Sequence, residues 1–224
     1  LEIRARITGA FERAEITDDP EEKKRLLTFV IVGAGPTGVE LAGQVAEMAH
    51  RTLNNEFRDI DTNSARIILV DGSPQVLPPF GKNLGKKAQK RLEKLGVEVI
   101  ANSLVTNVDQ HGVTWKDMKT EEETTVGSYC KIWSAGVAAS PLGKMVTDQI
   151  DGVDADRAGR VPVGGDLAIE GHKDIFVIGD MMSYNRLPGL AQVAIQGGEH
   201  VADIIRGEVE VSTARPEFRY HDKD

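Results

Sequence analysis

Residues 33–38 read Gly33-Ala34-Gly35-Pro36-Thr37-Gly38, a G-x-G-x-x-G spacing suited to gripping a phosphate with main chain. The first glycine permits a tight turn, the second lets backbone approach a pyrophosphate, and the third lets the next helix lie close to the preceding strand. A helix starting there presents unpaired N–H groups and the positive end of its dipole, so it holds an anion without a lysine. Asp71 is the second candidate, at the end of the run Arg66-Ile67-Ile68-Leu69-Val70. A carboxylate at such a strand end accepts hydrogen bonds from ribose hydroxyls and repels a 2′-phosphate. Gly72, Ser73 and Pro74 bring no cation, which favours NADH over NADPH. Taken alone, these letters also fit a glycine-rich turn in an ordinary α/β domain and a strand-end turn aspartate.

The elements that must position these residues are legible around them. Phe29, Val30, Ile31 and Val32 form an uninterrupted apolar run, which suits a central strand of a parallel sheet covered on both faces. Val39, Leu41, Ala42, Val45 and Met48 continue past the glycines with helical spacing. Asp71 follows Gly38 by 33 positions, beyond the usual ~20, so an extended helix and loop are expected between them. Leu84, Ala88, Leu92 and Leu95 predict an amphipathic helix ended by Gly96, followed by a third strand over Val97 to Ile100. Short segments at Val105 to Val108 and Val113 to Trp115 predict a meander turning at His111-Gly112, with His111 solvated. The acidic run Glu121 to Glu123 reads as a loop and Tyr129 to Trp133 as a strand, with Cys130 a small core residue rather than a nucleophile. Ser134, Ala135 and Gly136 then offer small residues where backbone can approach a dinucleotide.

The pattern changes from Val137 onward. Pro141, Gly152, Gly159 and Pro162 punctuate short segments of the kind found between domains. Lys173 to Asp180 predicts another buried strand ending in Gly179-Asp180, and Leu190 to Ile205 has helical spacing. That arrangement suggests a second ligand site. At the other end, Ile3, Ile7, Phe11 and Ala14 predict an amphipathic helix over residues 1 to about 16, its stripe expected to face a surface outside this sequence. Asp18-Asp19-Pro20-Glu21-Glu22 reads as a second helix start.

Composition narrows the classes. The 224 residues suffice for one large or two modest domains, and the apolar fraction of 40% with 28% charged residues is ordinary for a globular chain. A net charge of −8 argues against nucleic acid, and by the same sum against anionic lipid. No apolar run approaches the roughly 20 residues that cross a bilayer. The one cysteine excludes an internal disulfide and a thiolate zinc cluster, and fits a reducing compartment; no metal site is expected. The opening Leu1-Glu2-Ile3, without methionine and inside a helical pattern, leads us to expect a fragment.

Together FVIVGAGPTGVELAG (29–43), Asp71, LPPFG (77–81), WSAGV (133–137), DIFVIGD (174–180) and AQVAIQ (191–196) resemble the two-dinucleotide-binding-domain flavoproteins, most nearly the type II NADH:quinone oxidoreductases. The resemblance spans the chain and implies an α/β fold: a Rossmann-like NADH-binding domain at 28–136, with a parallel sheet, helices and a β-meander. Residues 1–27 are then a helix and linker from the FAD-binding domain, and 137–224 its C-terminal part. The flavin's adenosine-pyrophosphate cradle is expected before Leu1 and a membrane-binding segment after Asp224. Implied cofactors are NADH, at Gly33, Ala34, Gly35, Pro36, Thr37, Gly38, Asp71, Ala135 and Gly136, and FAD, at Gly179, Asp180, Ala191 and Gln192. In that reading Asp180 accepts a hydrogen bond from the ribityl hydroxyls, Gln192 and Gln196 face the quinone, and Glu40, in the first turn of the nucleotide helix, adjoins nicotinamide and flavin.

The implied activity is hydride transfer from NADH to FAD and then electron transfer to a membrane quinone. The implied location is peripheral, on the cytoplasmic face of the respiratory membrane, and a homodimer is compatible with it. Two alternatives stay open: a ferredoxin or disulfide reductase of the same architecture, and an NADH-binding module without turnover. Glutamines at 192 and 196, with no histidine acid nearby, weigh against a disulfide reductase.

Overall fold

The computed structural model describes residues 2–136, 138–207 and 215–221. The chain divides into two compact units, residues 1–135 and 136–224, and its architecture is mixed α/β.

In the first unit, helix α1 (Glu2–Ile16) and the short α2 (Pro20–Leu26) lead into β1 (Thr28–Val32). α2 starts where Asp19 accepts the Glu21 N–H, with Pro20 supplying the first helical φ. α3 (Pro36–Glu47) follows, prolonged by a π-turn over Met48–Thr52, and then β2 (Arg66–Val70), α4 (Gly81–Lys94) and β3 (Val97–Ile100). β4 (Ser103–Val108), β5 (Gly112–Asp117) and β6 (Glu123–Gly127) form an antiparallel meander, and β7 (Cys130–Trp133) returns to the main sheet. That sheet has the order β3-β2-β1-β7 and is parallel throughout.

Alternation along the strands fills two layers. Phe29, Ile31, Ile67 and Leu69 pack with α1 and α3 residues such as Phe11, Ala42 and Val45, whereas Val30, Val32, Ile68 and Val70 pack with Val113 and Trp115 of the meander. This is why β1 reads as a continuous apolar run: both faces are covered, and all five residues are buried.

Several expectations need correction here. The α1 stripe does not await an outside surface: Ile7, Ala10, Phe11 and Ala14 are buried in this unit, Phe11 stacking on Phe29 at 5.2 Å, while Ile3 is exposed. Leu84 is exposed rather than core-facing. The buried stripe of α4 runs through Gly85 and Leu92, because a Cβ at Gly85 would lie 2.7 Å from the Val76 carbonyl oxygen and only glycine allows that approach. Glu123 is not loop but the first residue of β6.

The second unit has α5 (Pro141–Thr147), the pairs β8 (Val161–Pro162) with β11 (Met182–Ser183) and β9 (Ala168–Ile169) with β10 (His172–Phe176), and helix α6 (Ala191–Arg206). Its core gathers Val161, Leu167, Ile169, Val177, Met182, Val193, Val201 and Phe218. The predicted buried strand over Lys173 to Asp180 is shorter and more open. β10 ends at Phe176 and pairs with β9, Lys173 and Asp174 are exposed, and only Val177 of the run is buried. With one neighbouring strand, Ile175 and Phe176 are only partly covered by the core they pack against.

Candidate functional site

The glycine turn lies at the carboxyl ends of β1 and β7, where chain progression across the sheet changes direction, the usual ligand crevice of open α/β sheets. Gly33 adopts φ +105°, and a side chain there would strike Ala135, since its Cβ would lie 2.6 Å from the Ala135 nitrogen. At Gly38 a Cβ would fall on the Gly33 carbonyl oxygen, so the third glycine is what lets α3 sit against the turn. Gly35 differs from both: nothing lies within 4 Å of where its Cβ would be. The turn is therefore closed on two sides and open at the one glycine assigned to pyrophosphate approach. Pro36 occupies the first helical position and no side chain caps α3, leaving the N–H groups of Thr37 and Gly38 without intrahelical acceptors.

Hydrogen bonds fix the turn from behind. Gly33 N–H donates to Val70 O at 2.8 Å, and Leu77 N–H to Ala34 O at 2.8 Å. Ser134 Oγ donates to Val32 O at 2.8 Å and lies 3.1 Å from Gly33 O. Asp71 stands just past β2 and accepts the Ala34 N–H through Oδ2 and the Ser73 N–H through Oδ1, both at 2.6 Å. It thus binds the glycine turn to the next strand, and each carboxylate oxygen keeps a further lone pair for a hydroxyl donor. Ser134 and Leu77 are partners the sequence did not announce. A leucine at φ +50° has no signature in composition, and serine before Ala-Gly reads merely as small.

The other expected residues of this unit are less engaged. Glu40 is exposed and lies beyond the first turn of α3, which contains no acid. This corrects its placement, and a dipole effect that fades within one turn gives it little support. Ala135 packs on Gly33, and Gly136, at φ +72°, has open space beside it. Val137 lies outside the described residues. Cys130 is buried, and burial pushes its thiol pKa up, as suits packing rather than nucleophilic chemistry.

In the second unit, Gly179 and Asp180 form a 3-10 turn against the start of α6, the Gly179 Cβ position lying 3.3 Å from Ala194 Cβ. A cleft of about 320 Å³ opens there, lined by Arg160, Gly179, Asp180, Pro188 and Gly189. Asp180, Ala191 and Gln192 are exposed, the first turn of α6 lacks a side-chain cap, and α6 begins two residues after the lining residue Gly189. Arg160 is a lining residue the sequence reading missed. Its Nε donates to Asp156 Oδ2 at 2.8 Å, and Asp156 accepts the Arg160 and Ala158 N–H groups, which hold its carboxyl below the usual range. Gln196 is not free: Nε2 donates to His221 O at 2.8 Å and Oε1 accepts the His221 N–H at 3.0 Å. Its amide pins the segment 215–221, so of the two glutamines only Gln192 is open.

Among the described residues no group of three or more His, Cys, Asp and Glu could hold a metal ion, and no helix is long and apolar enough to cross a membrane.

Residues 5–198 match the family described as pyridine nucleotide-disulphide oxidoreductase. The chain belongs to this family. Within this oxidoreductase family, the chain is 51% identical over 227 residues to the type II NADH:quinone oxidoreductase NdhA of Mycobacterium tuberculosis, an alignment covering 100% of this chain and 48% of that protein. The type II NADH:quinone oxidoreductase of Staphylococcus haemolyticus is 34% identical over 209 residues, 91% of this chain and 49% of its own length. The chain spans about half the length of these curated relatives. NDH2 from Plasmodium falciparum, solved in complex with NADH, superimposes with a TM-score of 0.87 at 18% identity, covering 99% of this chain and 60% of that one. At that identity the superposition establishes the oxidoreductase fold, which agrees with the α/β expectation.

Proposed function

We propose that this chain is part of a flavin-dependent NADH dehydrogenase that delivers electrons to a quinone. The observation that carries the reading is the glycine turn: rigidly latched, closed at Gly33 and Gly38, open at Gly35, and tied to an acid positioned for a ribose. The turn Gly33 to Gly38 holds the NADH pyrophosphate through the N–H groups it leaves open, those of Thr37 and Gly38 among them, Asp71 receives ribose hydroxyls, and Ala135 and Gly136 border the nicotinamide half. Residues 28–136 are the NADH-binding domain; 137–224 contribute to the flavin-binding domain of the longer protein. Residues 1–27 connect to that domain, although here α1 and α2 pack in the first unit.

The cleft beside Gly179 and Asp180 fits FAD in its chemistry, with an exposed carboxylate for ribityl hydroxyls and a glycine turn at φ +66°; the uncapped helix start at Ala191 and Gln192 follows its lining residue Gly189 in the chain. FAD, held by Gly179, Asp180, Ala191 and Gln192, would supply the two-electron redox chemistry between NADH and the acceptor. The chain's own residues position and polarise: the start of α6 favours negative charge nearby, and Gln192 offers an amide to the quinone. Quinone as acceptor is supported by the names of the relatives at 51% and 34% identity; a peripheral place on the cytoplasmic face of the respiratory membrane is part of the same proposal.

Titrating the purified chain with NADH, NADPH and FAD tests this reading. Saturable NADH binding at least ten-fold tighter than NADPH is expected; absence of NADH binding by the folded chain would remove the assignment. In the longer protein, Gln192→Ala and Glu40→Gln are expected to lower quinone turnover well beyond any change in NADH affinity. Unchanged turnover in either takes that residue out of the site.

A further inference from the structure

Net charge conceals where the charges sit. α4 carries six cations, Lys82, Lys86, Lys87, Lys90, Arg91 and Lys94, against one acid, Glu93, within 14 residues. The whole chain is −8. All six cations are exposed, and none is within ion-pair distance of a carboxylate among the described residues. Glu93 is occupied by its neighbour, accepting from Gln89 Nε2 at 2.9 Å. At about 100° per residue, the cations fan over roughly half the helix circumference, opposite the packed side of Gly85, Ala88 and Leu92. Two large apolar side chains stand beside them without cover: Phe80, 39% exposed, and Leu84, 54% exposed.

Solubility gives no reason for this face, because gathering cations on an acidic chain reduces the net charge that keeps it dispersed. A small dinucleotide steered by the cations has no use for Phe80 or Leu84, and neither does a phosphate backbone for an aliphatic leucine. Unpaired cations over half a helix, with apolar side chains at one end, match an anionic lipid surface: charge for the headgroups, apolar bulk for the acyl boundary.

We propose that α4 and the Phe80 turn form a contact for an anionic lipid surface, the cations lying over the headgroups with Phe80 and Leu84 inserted among them. Such a contact runs against the expectation drawn from net charge, that anionic lipid is not favoured. The contact stands independently of the nucleotide reading, since vesicle binding and NADH binding are separate measurements.

The test is co-sedimentation of the chain with vesicles of about one-third phosphatidylserine in phosphatidylcholine, and with phosphatidylcholine alone. It is run at about 0.02 M and about 0.5 M salt, between which the screening length falls from roughly 20 Å to roughly 4 Å. Binding to the anionic vesicles alone, weakened by salt, is expected. Lys86→Gln/Lys87→Gln/Lys90→Gln should weaken it about 100-fold, near five-fold per lysine. The Arg triple at the same positions should retain it, which separates lost charge from lost folding. Phe80→Ser/Leu84→Ser should weaken it by about ten-fold, and Lys119→Gln/Lys144→Gln/Lys173→Gln, off the helix, should leave it unchanged. No sedimentation with anionic vesicles, equal binding by the α4 triple, or equal loss in the off-helix triple overturns the proposal. So does tight binding of an RNA oligonucleotide that the α4 triple abolishes while vesicle binding is absent.

Discussion

Two glycines three positions apart should fail in opposite ways when each becomes alanine. At Gly38 the new Cβ would coincide with the Gly33 carbonyl oxygen and stand 2.7 Å from Ser134 Oγ. A backbone oxygen cannot swing aside, so α3 must lift from β1. Overpacking of this kind costs about 1–3 kcal/mol, or about 3–10 °C in Tm for a unit of this size. At Gly35 nothing lies within 4 Å and φ is −71°, which alanine adopts freely. Alanine is a poorer N-cap than glycine but has less unfolded-chain entropy to lose; the two effects oppose, and stability should stay within about 1 kcal/mol. The methyl does stand where a pyrophosphate must touch main chain, so NADH affinity should fall at least ten-fold, about 1.4 kcal/mol or more. Thermal unfolding followed by circular dichroism and NADH titration by fluorescence read the two effects separately. If Gly35→Ala binds NADH within about two-fold of the parent, the pyrophosphate is not at this turn. If Gly38→Ala melts where the parent does, the close approach of α3 is not what the third glycine serves.

Asp71→Ala removes the acceptor of two short N–H bonds, each worth about 1.5–3 kcal/mol at most to a charged group; a lower Tm and weaker NADH binding are expected, and unchanged affinity would refute its role at the ribose. Cys130, the sole cysteine, is buried with its thiol pKa raised, so a disulfide-exchange reagent should leave the folded chain unlabelled and label it once on addition of urea; fast labelling of the native chain would contradict its burial. Burial raises the Asp166 pKa, but hydrogen bonds from Arg215 and the Ala168 N–H more than offset this and leave it lowered. Its stabilisation is thus present above the ordinary aspartate value of about 3.9 and is lost as pH falls through the lower folded value. Proteolysis of the 215–221 segment should rise below about pH 4, and Asp166→Asn should show that susceptibility at neutral pH; a pH-independent cleavage rate would exclude the ion pair as the clasp.

What could be read from the sequence was the set of positions where one residue type has one physical use. Glycine at 33 and 38 and an acid after an apolar strand are of that kind, and so are Asp19-Pro20 as a helix start and Gly96 as a stop. Periodicity was less reliable, because it shows that a face is apolar but not what covers it. The stripe of α1 is compatible with a surface outside this sequence, yet Phe11 in it stacks on Phe29 in its own unit. Leu84 had the spacing of a core residue, but Gly85 lets the Val76 backbone in and turns the leucine outward. β6 was missed because Glu123-Thr124-Thr125 is polar and largely exposed, and only pairing with β5 makes it a strand. Gln196 was ambiguous for a chemical reason: an amide serves equally to meet a ligand or to clamp a backbone, and the choice depends on a segment twenty-five positions away.

The latches around residues 33–38 bear on how the proposed site binds. A loop that had to be ordered by its ligand would spend part of the interaction energy on that ordering. Here Gly33 and Ala34 are fixed by Val70, Asp71 and Leu77, and the Gly33 carbonyl lies beside the Ser134 hydroxyl. The uncapped N–H groups of Thr37 and Gly38 that follow are therefore held in place before an anion arrives. In the proposed site attraction would come from fixed N–H dipoles rather than mobile cations, and the bare face of Gly35 would give a pyrophosphate room to approach. Asp71 belongs to the same device, since the carboxylate proposed to receive the ribose also holds the turn that receives the phosphates. Recognition of the two halves of the adenosine diphosphate moiety is thus coupled through one side chain, and loosening either end should be felt at the other.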